Sequence, residues 1–436
     1  MASNYSGYMG KILQIDLSQE TAVEYPWTDR QREQTLGGKT SAFQILSDHL
    51  TGTELPFSEE NWVILSTGPL TGTGAPGSVR FDITALSPKT GLPTSSNCGG
   101  SFGLYLKKAG YDALILTGRC KAHRWLEICE EQIRFHDSDD LWGRGTIECS
   151  QRLAELLDCN SFGCLCIGPA GEDLLPAATV ISDGRAAGRA GLGAVLGWKN
   201  LKAITVTGSK PIPIYNQNKA RKEIKKWFIA LNTHPFTSDK EKVSSCPGCP
   251  IRCKTPGKEA DTILNDLGID SIAAAEGIQW RKEKIGFQPE ANPKHKGGQR
   301  KKGIYPAMLQ ALGLQDSLDT AMLYQDLTEA VSASGLCMFT ANSCCPPFLI
   351  ENPNSIPTKM IHAVMPYLGW FLRFVNRHPA VLIFQISHTR MLRCSTGMKM
   401  NLGSFLSIGK RSSDLEQYLN CKFYKKAKAS QTSSGC

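Results

Sequence analysis

Apolar and polar positions alternate over short stretches of the first two hundred residues, and those stretches read as strands. Gly10–Leu17 (GKILQIDL), Trp62–Ser66 and Phe81–Ala85 show the pattern. Asp112–Thr117 and Ala203–Thr207 are compact apolar runs of strand length. Trp125–Cys129 and Gln132–His136 lie close enough to form a hairpin. Helical spacing appears at Phe102–Ala109, Thr146–Leu157 and Gly191–Leu201. The result is a strand-rich α+β region that ends near Lys210-Pro211-Ile212-Pro213, with polar Tyr215–Lys219 after it. The expected division is therefore a domain over 1–210 and a largely helical region over 211–436.

Between the strands lie glycine-rich loops. Thr67–Gly77 leads into Arg80, Ser96–Gly100 precedes a helix, and Ser182–Gly193 carries Arg185 and Arg189 before another helix. Glycine lets backbone approach a ligand closely, and N–H groups at a helix start attract anions. Arginine adds fixed charge. Together the three loops suit a phosphate-bearing cofactor, although plain turn chemistry explains any one of them. None is a P-loop, and none sits in the strand–GxGxxG–helix context of a dinucleotide site.

The stretch with the most chemistry is Cys246-Pro247-Gly248-Cys249-Pro250-Ile251-Arg252-Cys253. Three thiols at C-x2-C-x3-C spacing suit three corners of a [4Fe–4S] cube, and Cys337 in Ser334-Gly335-Leu336-Cys337 is the candidate fourth ligand. Structural zinc is the alternative, but no second C-x2-C or C-x2-H follows. A disulfide loop fits the short spacings poorly. Radical-SAM enzymes use the reverse order of spacings.

Composition narrows the class. The 436 residues suffice for two or three domains, and the 16 cysteines are scattered rather than framework-like. Met1–Gly7 has no basic region followed by an apolar core, so no signal peptide is expected, and free thiols in a reducing cytoplasm follow. No uncharged apolar run reaches the ~20 residues of a membrane span. Tyr367–Phe384 comes nearest, is interrupted by Arg373, Arg377 and His378, and reads as a buried helix. The net charge of +9 is concentrated in Arg281–Lys302 and Lys422–Lys428. These stretches lack interleaved aromatics, so no nucleic-acid partner is expected.

Long stretches of this chain resemble the aldehyde ferredoxin oxidoreductases, tungsten or molybdenum bis-pterin enzymes. The resemblance is nearly continuous over Met9–Pro213, in GPLTGTGAPGSVRF, SPKTGLPTSSNCGGSFGLYLKKAGYDALILTG and DGRAAGRAGLGAVLGWKNLKAITVTG. It resumes in SCPGCPIRC, in LNDLGIDSI and in YQDLTEAVSASGLCMFT. It implies a two-sheet N-terminal domain that carries the cofactor, covered by mostly helical C-terminal domains. It implies that Arg80, Asn97 and Gly99 hold one pterin, and that Arg185, Ala186, Gly188 and Arg189 hold phosphate and ring edges. Asp266, Asp270 and Ser271 match the loop that contacts the second pterin. Cys246, Cys249, Cys253 and Cys337 match the cluster ligands. The implied activity is oxidation of a small aldehyde to a carboxylic acid, with electrons passing singly to ferredoxin or a similar carrier. A homodimer is an open option.

The departures all follow Pro213. The segment before the cysteines is contracted to His234–Ser245. A region that carries an active-site glutamate in the family is missing between Cys253 and Asp266, with Glu259 as its vestige. The R-G-x-x-H segment has no counterpart between Ile278 and Ala321. Ser332 stands where the family pattern places an aspartate, and Cys98, Cys344 and Cys345 read as small buried hydrophobes. Catalytic residues are therefore not assigned. Besides the enzyme, two readings stay open: a binding module that keeps cluster or pterin, and a zinc-stabilised protein.

Overall fold

The computed structural model describes residues 3–159, 161–232, 246–247, 266–268, 329–337 and 379–433. The first half is built from two six-stranded sheets. The first arises from β1 (Lys11–Asp16), β2 (Thr21–Tyr25), β3 (Val63–Thr67), β4 (Phe81–Leu86), β5 (Pro93–Cys98) and β6 (Tyr111–Thr117). Its helices are α1 (Asp29–Thr35), α2 (Gly38–His49) and α3 (Phe102–Ala109). The second sheet comprises β7 (Arg124–Cys129), β8 (Gln132–Asp137), β9 (Gly163–Cys166), β10 (Val180–Ser182), β11 (Arg185–Ala187) and β12 (Leu201–Thr207). Helices α4 (Thr146–Leu156), α5 (Pro169–Glu172) and α6 (Leu192–Trp198) accompany it.

The two sheets share one topology. The first runs β2-β1-β6-β3-β4-β5, and the second, read from its far edge, runs β8-β7-β12-β9-β10-β11. In each, one pair is parallel, β1 with β6 and β7 with β12, while the others are antiparallel. The likeness extends to the loops. Gly68-Pro69-Leu70 follows β3, and Gly168-Pro169-Ala170 follows β9. Leu70 N donates to Ser334 O at 2.9 Å, and Ala170 N donates to Leu267 O at 3.1 Å. A Cβ on Gly68 would lie 2.2 Å from Gly335 N, and one on Gly168 would lie 2.4 Å from Leu267 C. Each half thus docks a later segment of chain against a glycine that must lack a side chain.

A single apolar core joins the sheets, with Leu13, Leu65, Phe81, Phe102 and Leu114 meeting Leu126, Leu165, Val195 and Ile204. After β12 the described chain is helical: α7 (Gln217–Asn232), residues 329–333, α8 (Pro379–Thr396) and α9 (Leu402–Ser433). The outer face of the first sheet is covered by α2 and by Leu419 and Phe423 of α9. Lys39 at the start of α2 pairs with Glu329 and with Glu416 of α9, both at 2.9 Å. It ties the helical layer and the 329–337 segment to the sheet.

The expected strands and helices are present, with boundaries shifted by a few residues. The expected Gly191–Leu201 helix stops at Trp198, because Leu201 opens β12 in the second sheet's centre. Ser96–Gly100, read as a loop, is mostly the edge strand β5, whose polar PTSSNC sequence hides it from a periodicity test. Most of Tyr367–Phe384 lies outside the described residues, and α8 begins at Pro379.

The N-terminal strand is held by a buried ion pair. Lys107 Nζ lies 2.7 Å from Asp112 Oδ1 and donates to Gly7 O at 2.5 Å. The Asp112 carboxylate also accepts from Met9 N and Gly10 N, at 2.9 and 2.8 Å. Removing one partner strands the other charge in the core, at a cost of about 3 kcal/mol. Lys107→Met is therefore expected to lower unfolding free energy by about that amount in urea titrations. An unchanged midpoint would contradict the assignment.

Candidate functional site

The edges of the two sheets meet where β5 passes β11. The Cys98 thiol donates to the Arg185 carbonyl at 3.3 Å. Beyond β5 the chain turns through Gly99. A Cβ there would lie 2.8 Å from Arg80 Nη1, 2.8 Å from Cys246 Sγ and 3.0 Å from Arg185 Cδ. Three separate stretches of sequence therefore converge on one bare backbone position. Two arginines supply N–H donors and a thiol supplies sulfur.

Strand pairing sets up the first-sheet side. Asp82 of β4 faces Asn97 of β5 in register. Asn97 Oδ1 accepts from Arg80 Nε at 2.5 Å, and Asn97 Nδ2 donates to Asp82 Oδ1 at 3.0 Å. Ser332 joins from the C-terminal half, its hydroxyl 3.5 Å from both Asn97 Nδ2 and Asp82 Oδ1. Burial would lower the Arg80 pKa, but the Cys337, Cys98 and Cys246 sulfurs and the Asp82 carboxylate outweigh it and raise it. Burial pushes Asp82 up to about 6, against the Asn97 hydrogen bond and the Arg80 charge. Burial likewise pushes Cys98 up to about 12.

On the second-sheet side, β10 and β11 form a tight hairpin through Asp183 and Gly184, both at positive φ (48° and 66°). Such an Asp-Gly pair is ordinary hairpin chemistry. Its returning strand carries Arg185 and Ala186, followed by buried Gly188 and exposed Arg189. The hydroxyl of Ser182, beside Gly100, is buried without a partner among the described residues. Arginine donors, that orphan hydroxyl and a glycine cradle fit a group rich in phosphate and sulfur.

The expected thiol set is described in part. Cys246 and Cys337 are both buried, and Cys337 N donates to Gly77 O at 2.9 Å. Cys249 and Cys253 lie outside the described residues, as do Asp270, Ser271 and Glu259. Asp266 is described and sits over Gly145, where it accepts from Ile147 N at 2.8 Å. That places a carboxylate at the N-terminus of α4. Asp82 was missed in the sequence, where it reads as one polar position in an alternating strand. Ser182 reads in the sequence as the start of a glycine-rich loop, although it ends strand β10.

Gly99→Ala tests the cradle without adding charge. The added methyl must displace Arg80, Arg185 or Cys246 while the rest of the fold keeps its core. The expected result is a melting temperature within a few degrees of wild type, with bound metal and organic cofactor reduced at least severalfold. Full retention of both would show that nothing binds against Gly99.

Residues 12–208 match the profile described as aldehyde ferredoxin oxidoreductase, N-terminal domain. The tungsten-containing aldehyde ferredoxin oxidoreductase of Pyrococcus furiosus is 36% identical over 230 residues, covering 52% of this chain and 38% of that protein. An aliphatic sulfonate oxidoreductase, WOR-like subunit, of the same organism is 31% identical over 242 residues, covering 51% of this chain and 38% of its own. The match therefore spans about two fifths of the length of these relatives. Among solved structures, the active site complex BamBC of benzoyl coenzyme A reductase, with 1,5-dienoyl-CoA, superposes with a TM-score of 0.67. That likeness covers 96% of this chain and 90% of the other at 16% identity, and is one of fold.

Proposed function

We propose that this chain, which belongs to the aldehyde ferredoxin oxidoreductase family through residues 12–208, binds a tungsten or molybdenum bis-pterin beside a [4Fe–4S] cluster and oxidises small aldehydes to carboxylic acids. Ferredoxin or a similar carrier takes the electrons, and the protein works in the cytoplasm. The single observation that carries this reading is the convergence of Arg80, Arg185 and Cys246 on Gly99. A cluster ligated by Cys246 would lie beside whatever group the two arginines hold.

The bound metal group supplies the two-electron redox chemistry. The chain's own residues bind and orient it. Arg80 and Asn97 offer one donor face, while Arg185, Ala186, Gly188 and Arg189 offer phosphate contacts from the opposite sheet. Asp266, Asp270 and Ser271 supply acceptors for the N–H-rich edge of a second pterin. Cys246, Cys249, Cys253 and Cys337 hold the cluster, with Cys337 brought in by its backbone bond to Gly77. The buried Cys98 thiol donates to the Arg185 carbonyl where the two sheet edges meet.

A second reading, a binding module with impaired turnover, is favoured by the contracted stretches after Cys253 and Ile278. They remove the regions expected to carry an acid and a base. Loss of such a group costs roughly 10²–10⁴-fold in rate.

Two variants test these readings. Cys337→Ser is expected to lose or convert the cluster, seen as lower iron and an altered electron paramagnetic resonance signal in the reduced protein. An unchanged signal removes Cys337 from the ligand set. Fully loaded protein is expected to oxidise a panel of aliphatic and aromatic aldehydes slowly or not at all with a viologen dye. Robust turnover that collapses in Glu259→Gln would instead make Glu259 the acid–base residue and overturn the impaired reading.

A further inference from the structure

We infer that Asp82 is a positioning residue: it fixes which way the Asn97 amide faces and, through that amide, the orientation of the Arg80 guanidinium. The inference deepens the proposed function, because it rests on Arg80 and Asn97 being part of the cofactor site.

The geometry is a three-member relay. Asp82 Oδ1 accepts from Asn97 Nδ2, and Asn97 Oδ1 accepts from Arg80 Nε. A primary amide has one acceptor end and one donor end, and arginine has donors only. Arg80 is satisfied only while the carbonyl end of Asn97 points to it. That requires the NH2 end to point at Asp82. An ionised carboxylate is an acceptor only, so it selects this orientation and rejects the other.

Protonation removes the selection. A neutral Asp82 can donate to the Asn97 carbonyl, which turns the NH2 towards Arg80 and sets donor against donor. Arg80 then loses its one described side-chain acceptor, and a charge-assisted bond with it. The groups that face Asp82 are Arg80 and Lys39, which favour its charge, and Glu329, which opposes it. Its second oxygen is enclosed by the start of α2, since a Cβ on Gly38 would lie 2.7 Å from Asp82 Oδ2. Ser332 contributes a hydroxyl, which can serve either protonation state.

The sign of the pH dependence separates positioning from plain structural support. The folded pKa of about 6 lies above the ordinary 3.8. The stabilising contribution is thus present below the ordinary value and is lost as pH rises through the folded one. Near pH 8 the charged Asp82 disfavours the fold. Asp82→Asn keeps the shape and one acceptor while removing that charge. It should therefore leave the full-length chain at least as resistant to urea at pH 8 as wild type, while its grip on cofactor weakens.

The test has two independent readouts. Side-chain ¹⁵N-asparagine labelling of the full-length chain, with Asn97→Asp to assign the signal, reports the amide directly. The Asn97 signal is expected to titrate near pH 6 in wild type and to stay flat in Asp82→Asn. Pterin retention after dialysis is expected to be roughly tenfold poorer at pH 5 than at pH 8 in wild type, and equal at both in the variant. A wild-type Asn97 signal unchanged between pH 5 and pH 8 overturns the inference, whatever the variant does. Persistence of the titration in Asp82→Asn overturns it too. Titration of Asn97 in a chain that carries no pterin at any pH upholds Asp82 and instead rejects the proposed function.

Discussion

The absence of a side chain at Gly99 is the constraint on which the candidate site depends. Arg80, Arg185 and Cys246 come from three distant stretches of sequence, and all lie within 3.0 Å of where a methyl group would be. No side chain larger than hydrogen leaves room for that approach. The same rule operates one layer out, at Gly68 and Gly168, where backbone from later in the chain lies against glycine. Close backbone approach, rather than turn geometry, is what these glycines provide.

Buried charge is the second organising feature, and it is distributed unevenly. Several largely buried lysines outside the Gly99 cradle are paired outright: Lys107 with Asp112, Lys202 with Glu172, and Lys39 with two glutamates. These pairs fasten the N-terminal strand, the second sheet and the helical cover. Around Gly99 the balance differs. Arg80 is held by an amide and surrounded by thiols, and Asp82 keeps a carboxylate that its burial opposes. Groups kept charged against desolvation, in a place where two sheet edges meet, are characteristic of a binding site rather than a core.

Much of this was legible in the sequence. Strands with clean alternation or dense apolar runs, such as β1, β6 and β12, follow from pattern alone. So does α3, whose bounds Phe102–Ala109 coincide with the expected ones. Strand β5 was not legible, because a short edge strand of mostly polar residues, PTSSNC, carries neither signal. The duplicated topology was hidden for a related reason: the halves share strand order and a Gly-Pro after the third strand, but little sequence between. The cysteines stood out by their spacing, while the arginines and glycines stood out in glycine-rich loops and through the family resemblance. Asp82 and Ser182 did not, since their roles come from cross-strand register and packing, which a linear reading does not contain.

One site, spanning both sheet edges and the two described cysteines, is proposed to hold a pterin-bound metal and an iron–sulfur cluster together. Elemental and pterin analysis of anaerobically purified full-length protein tests it most directly. The expected result is about four iron atoms for each tungsten or molybdenum, with pterin present. Zinc alone, or iron with neither tungsten, molybdenum nor pterin, would contradict it.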